Sequence, residues 1–260
     1  MWKLFRIIIL LVMLAKAIAV SYAENTALNW QNKLYVAVYP INAEHESKEA
    51  KYKVSTHISS LSQADFEAVT NYFSEQAARY NVGLARPIEL VLANPVNAIP
   101  PEPPNPNNVI AVMFWSLKFR AYAWLHSDDI AMQPDIKLYL VYHDPDTNPS
   151  LSISTALNKG RIGRINLYGQ REYHQKNLFV LAHELLHTLS ATDKYNLENN
   201  LPQFPDGFAE PNKTPLYPQR MTELMGGRLP VSQSEAEMPE SLNETMIGKK
   251  TAKEIGWLKG

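Results

Sequence analysis

Apolar and polar positions alternate in blocks along this chain, and the period of the pattern changes from block to block. Leu34 to Ile41 (LYVAVYPI) is an almost unbroken run of β-branched and aromatic residues, the pattern of a buried strand. From Ser62 to Tyr80 the spacing becomes helical. Phe66, Val69, Tyr72, Phe73, Ala77 and Tyr80 fall on one face, and Ser62 stands where an N-cap belongs. Ile88 to Leu92 reads as a second strand. Pro95 to Pro106 is too rich in proline for regular structure and reads as a loop. In Val109 to His126 the residues Ile110, Met113, Phe114, Leu117, Ala121, Trp124 and Leu125 keep helical spacing, which predicts a helix with these residues in the core. Ile136 to Tyr142 (IKLYLVY) is a strand. Arg161 to Tyr168 alternates and predicts a shorter strand near a sheet edge. Tyr173 to Leu189 is a strong helix, followed by irregular, proline-rich chain to about Pro230 and a last helix from Glu244 to Trp257. Strands and helices are interleaved, so the class is mixed α and β.

The 260 residues suffice for one fair-sized domain. A net charge of −1 supplies no broad basic face and argues against nucleic acid as a partner. The absence of cysteine excludes disulfides, thiolate zinc sites and cysteine nucleophiles. Lys3 and Arg6 precede an apolar run from Ile7 to Ala15, and Ser21-Tyr22-Ala23 offers small residues before a cut at Glu24. This is the layout of a secretory signal, so residues 1–23 are expected to be a signal peptide and 24–260 a single secreted or periplasmic domain. The alternative is an uncleaved anchor holding the domain outside the cytoplasm. Under that alternative the N-terminal segment is the only expected contact with the membrane. Lys118 and Arg120 argue against a span in the helix that contains them.

The stretch His183-Glu184-Leu185-Leu186-His187 changes the picture most. Two histidines four residues apart on a helix share one face and can share one metal ion. Glu184 is placed to accept a proton from a water activated by that ion. The flanks Phe179, Val180, Leu181, Leu185, Leu186 and Leu189 are apolar, so the helix is buried, and buried imidazoles and carboxylates need partners. Catalytic zinc usually has three protein ligands. Asp193, six residues after His187, could supply the third if the chain turns back sharply at the helix end.

The run His183-Glu-Leu-Leu-His187-Thr-Leu-Ser190-Ala-Thr-Asp193 resembles the extended motif of the metzincin zinc peptidases, in the aspartate form similar to that of snapalysin-type enzymes. The resemblance implies His183, His187 and Asp193 as zinc ligands and Glu184 as general base. It also implies an α+β zincin domain: a twisted mixed sheet and active-site helix (residues 30–189) above an irregular C-terminal part (190–260). Metzincins carry a methionine in a tight turn below the zinc, and Met225, before Gly226-Gly227, fits that place. Tyr195 and Tyr217 are candidates to stabilise the oxyanion, as a tyrosine does in several metzincins. One departure is Ser190, where metzincins usually have glycine. Should that residue need a positive φ, serine would carry a strain that glycine avoids. Glu210 competes with Asp193 as third ligand, in a gluzincin-like arrangement.

These readings lead to a zinc hydrolase acting on peptides or proteins, the substrate lying extended along the edge strand, for which Arg161 to Tyr168 is the candidate. Two alternatives share the metal: an amidase acting on a non-peptide envelope component, and a non-catalytic envelope protein that binds through a zinc-containing site.

Overall fold

A computed structural model of the protein describes residues 29–127 and 133–259. The signal-peptide reading of residues 1–23 lies outside the described residues. The architecture is mixed α and β, with a five-stranded mixed sheet and five α-helices among the described residues. In chain order the sheet strands are β1 (Leu34–Asn42), β2 (Ile88–Leu92), β3 (Ile136–His143), β4 (Thr155–Leu157) and β5 (Ile162–Tyr168). They lie side by side in the order β2-β1-β3-β5-β4. The first four in that order run parallel, and β4 is antiparallel to β5.

β1 and β3 are apolar at nearly every position because both faces of the sheet are covered. Val36, Val38, Leu138 and Leu140 point into one core, shared with helices α1 (Lys48–Ser60), α2 (Glu67–Arg79) and the later α4 (His174–Thr188). The alternate residues Ala37, Tyr39, Tyr139 and Val141 point into a second core under α3 (Val109–Leu125). There Tyr39 and Tyr139 sit opposite each other in register and stack at 5.1 Å.

The structure corrects several expectations. α1 was not foreseen, although Ser47 caps it and Ala50, Val54, His57 and Ile58 bury one face. The segment from Ser62 opens with a 3-10 turn (Gln63–Phe66) closed by a Ser62–Asp65 capping box before α2 begins. α3 forms where expected, but the predicted core stripe is its exposed face. Trp115, Phe119, Tyr122 and Ala123 are buried instead. The helix is apolar all round, and the aromatics that meet Tyr39 and Tyr139 decide which side goes in. Arg161 to Tyr168 is not the edge, because the three-residue β4 covers it. The last helix is only α5 (Lys249–Glu254). Residues Thr245–Met246 (β9) pair instead with Thr222–Glu223 (β6), and Gly256, at φ 78°, ends the helix. Between these, β7 (Leu229–Pro230) and β8 (Ala236–Glu237) form a short hairpin. Among the described residues no helix is long and apolar enough to cross a membrane.

Candidate metal centre

α4 packs against β5 and β4, so its buried apolar residues hold it under the edge of the sheet. His183 and His187 lie one turn apart on it, with ring centroids 4.9 Å apart. Each ring is fixed from behind. His183 Nδ1 is 3.0 Å from the Leu224 carbonyl, and His187 Nδ1 is 2.9 Å from the Ala191 carbonyl. A carbonyl can only accept, so each Nδ1 carries a proton and Nε2 is the nitrogen of each ring turned toward the other and toward Asp193. The two Nε2 atoms are 3.2 Å apart. Asp193 Oδ1 lies 3.1 Å from the first and 3.2 Å from the second.

Asp193 reaches this point because the chain reverses at the end of α4. Ser190 N–H bonds to the His187 carbonyl and Ala191 N–H to the Leu186 carbonyl, the paired bonds of a Schellman turn. The residue at the turn, Ser190, has φ 78°, the left-handed conformation that glycine would adopt without strain. Asn158, just after β4, supports it by donating to Ser190 Oγ at 2.6 Å and to the Thr188 carbonyl at 3.1 Å. Both neighbours of Asp193 are then tied down. Thr192 donates through N and Oγ1 to Glu254 of α5, at 3.0 and 2.9 Å. Lys194 Nζ, almost fully buried, pairs with the same carboxylate at 2.5 Å, and Lys194 N–H bonds to the Met225 carbonyl at 2.8 Å.

The Met225 turn (Leu224–Gly226) is therefore bound to both α4 and the segment that carries Asp193, through Leu224 to His183 and through Met225 to Lys194. Met225 itself is buried in the main core. Below the turn, Gly226 and Gly207 come so close that a Cβ on Gly226 would stand 2.4 Å from the Gly207 carbonyl oxygen. The buried Glu223 carboxylate accepts from the N–H groups of Met225 and Gly226 at 2.6 and 3.1 Å, and from Gly248 at 2.9 Å.

Glu184 is buried beside the histidines, and its Oε2 has no hydrogen-bond partner. Burial pushes its carboxyl up, and the neighbouring histidines pull against that. For His187 burial works against the charge, but Asp193 outweighs it and holds the imidazole at about 9. Burial opposes the Asp193 charge too, yet hydrogen bonds from both imidazoles hold that carboxyl well below the usual range. His183, Glu184 and His187 offer ligand atoms that all lie within 4.8 Å of one another, a grouping able to hold a metal ion. No protein-family model matches the chain, and no curated protein is significantly similar to it.

The centre opens into a cleft of about 350 Å³. It is lined by Leu151, Ile153 and Ser154 from the segment entering β4, by Phe179, Val180, His183 and Glu184 of α4, and by Tyr195, Gly227, Arg228 and Met238 from the C-terminal part. Tyr195 thus stands in the cleft, its ring 6.3 Å from that of His183. Burial, and the Asp193 and Glu184 charges, push its hydroxyl up to about 12, so it is a donor at neutral pH. Tyr217 is not brought to the site; its ring packs on Phe208. Glu210 is committed elsewhere, to the Arg220 guanidinium at 2.7 Å and the Arg220 N–H at 3.0 Å. The sequence reading missed Asn158 and Glu254, because nothing in a linear pattern links them to a turn tens of residues away.

Proposed function

We propose that this chain is a zinc-dependent peptidase of metzincin-like architecture, with His183, His187 and Asp193 as metal ligands and Glu184 as general base. The observation that carries the reading is the triangle of two Nε2 atoms and one Oδ1, with sides of 3.1–3.2 Å. Nitrogen and oxygen ligands at zinc bond lengths and tetrahedral angles stand about 3.3 Å apart. The donor set is of the kind that holds catalytic zinc, and with each Nδ1 tied to a carbonyl the Nε2 atoms are the ones left for a metal once it displaces their protons. The parallel sheet with one antiparallel strand beside the helix is compatible with the resemblance in sequence.

Zinc held there supplies Lewis acidity, acidifying water and polarising a carbonyl. The chain's own groups supply the rest. Glu184 takes a proton from the attacking water and returns it to the leaving amine. Its unpartnered, desolvated Oε2 suits both halves of that exchange. Tyr195, protonated at working pH, can donate to the oxyanion. An extended peptide would pair with β4, and Leu151, Ile153, Phe179 and Met238 favour apolar side chains beside the scissile bond. Export through residues 1–23 would set the enzyme to work outside the cytoplasm.

The test is metal content and peptidase activity measured together. Wild type should bind one zinc, and His183→Ala should lose it. Glu184→Gln should keep zinc and lose at least about 10²-fold in kcat. Full activity in zinc-loaded Glu184→Gln would overturn the mechanism. A fourth protein ligand found by X-ray absorption would favour the non-catalytic binding protein.

A further inference from the structure

α3 presents water with a face that a water-soluble surface does not ordinarily carry. Ile110, Met113, Phe114, Leu117, Trp124 and Leu125 are each 59–76% exposed. At 3.6 residues per turn they fill one arc of about 120° along the whole helix. Their exposed area is on the order of 800 Å², beyond the few hundred Å² of an ordinary monomer's largest apolar patch. The face is not short of anchorage on the other side, since Trp115, Phe119 and Tyr122 are buried against the sheet. Its exposure therefore does not come from a loosely docked helix.

The borders of the arc indicate what covers it. Arg120 lies just beyond one edge and Lys118 just beyond the other, and the helix contains no carboxylate. Arg120 is braced on the Lys159 carbonyl at 3.0 Å, and Lys159 is itself exposed. Apolar side chains flanked by cations, with a tryptophan toward one end, match the boundary between acyl chains and anionic headgroups. A second copy fits less well. A single facing helix cannot cover so wide a convex arc, and it would bring the cations of both helices together with no acidic residue on either to pair them. We infer that α3 is a membrane-surface helix that seats this domain on anionic lipid by its apolar face, with Lys118 and Arg120 at the headgroups. The inference does not depend on the metal centre.

The cysteine-free chain allows a clean test. The full chain carrying Leu117→Cys is labelled with an environment-sensitive fluorophore. Glu75→Cys, exposed on α2 across the sheet, is the control. With phosphatidylglycerol–phosphatidylcholine vesicles, the probe at position 117 should shift to the blue, resist aqueous iodide and be quenched by nitroxide lipid, while the probe at 75 stays in water. Phe114→Glu with Trp124→Glu should weaken the vesicle response at 117 more than tenfold without changing the folded signal. Pure phosphatidylcholine should also give a response more than tenfold weaker. A probe at 117 that stays in water while the protein floats with vesicles overturns the inference, as does equal binding to neutral vesicles. So does a blue shift without lipid, whether it grows with protein concentration, as for a second copy, or not, as for cover by the chain itself.

Discussion

Glu254 lies sixty-one residues beyond Asp193 in sequence, yet it holds both neighbours of that proposed ligand. Replacing it with glutamine keeps the shape and removes the charge. The Lys194 ammonium, 2% exposed, would then keep only neutral acceptors, the Thr192 carbonyl at 2.6 Å, its hydroxyl at 3.1 Å and the amide oxygen at position 254. Stranding a buried cation in this way typically costs 3–5 kcal/mol; with Glu254 itself 20% exposed, about 3 kcal/mol is expected here. Urea unfolding of the zinc-free protein would read it as a lower midpoint at unchanged slope. Zinc affinity, measured against a chelator, should fall about 10–100-fold as Asp193 loosens. Lys194→Met combined with Glu254→Gln should recover most of the stability, since the buried ammonium is gone and Glu223 keeps its three backbone N–H donors. The pH dependence has a definite sign. Burial opposes the Glu254 charge, but Lys194 and Thr192 outweigh it and hold the carboxyl below its ordinary value of 4.5. Its contribution is therefore complete above that value and lost as pH falls through the lower folded value, so wild type and Glu254→Gln should converge in acid. A single variant within about 1 kcal/mol of wild type, or a double variant no better than the single, would refute the reasoning.

Three further outcomes are expected. In the zinc-free protein His187 holds its proton up to about 9, so zinc must displace it at neutral pH. Apparent affinity should rise about tenfold from pH 7 to pH 8, and a flat profile would contradict this. The same raised value makes the His187–Asp193 pair stabilise the metal-free fold fully between the ordinary carboxyl value of 3.8 and about pH 6.5, and lose that effect as pH rises through about 9. Gly226→Ala should cost about 3 kcal/mol in urea unfolding, because its Cβ would meet backbone that cannot move aside. Ser190→Gly should stay within about 0.5 kcal/mol of wild type, relief of left-handed strain offsetting the lost bond from Asn158, whereas Ser190→Val should lose about 2 kcal/mol.

Much of the centre is visible in a linear reading because helical spacing fixes where His183, Glu184 and His187 point. Asp193 and the positive φ at Ser190 are also local, a few residues from the helix end. The buried strands β1 and β3 announce themselves by unbroken apolar runs. What escaped depends on distant partners. β4 is three residues long, too short for a period, and is defined by its pairing with β5. α3 shows two apolar faces, and only the aromatics of β1 and β3 decide which one is buried. Tyr195 and Tyr217 look alike in an irregular stretch, and only the folded path brings the first to the cleft. Helix α1 escaped too, because the polar residues between Ala50, Val54 and Ile58 hide its buried face despite the Ser47 cap.

Asn158 has a consequence for how this protein can vary. A surface hairpin such as the one between β4 and β5 is normally where a lineage accepts extra residues at little cost. Here the first residue of the connection braces the turn that delivers Asp193, with both contacts made by one short side chain. Lengthening the hairpin on the β4 side would carry that amide away from Ser190, while the helix and the histidines stayed intact. The length of this connection is therefore coupled to the position of Asp193, and a lengthened hairpin should be tolerated better with glycine in place of Ser190.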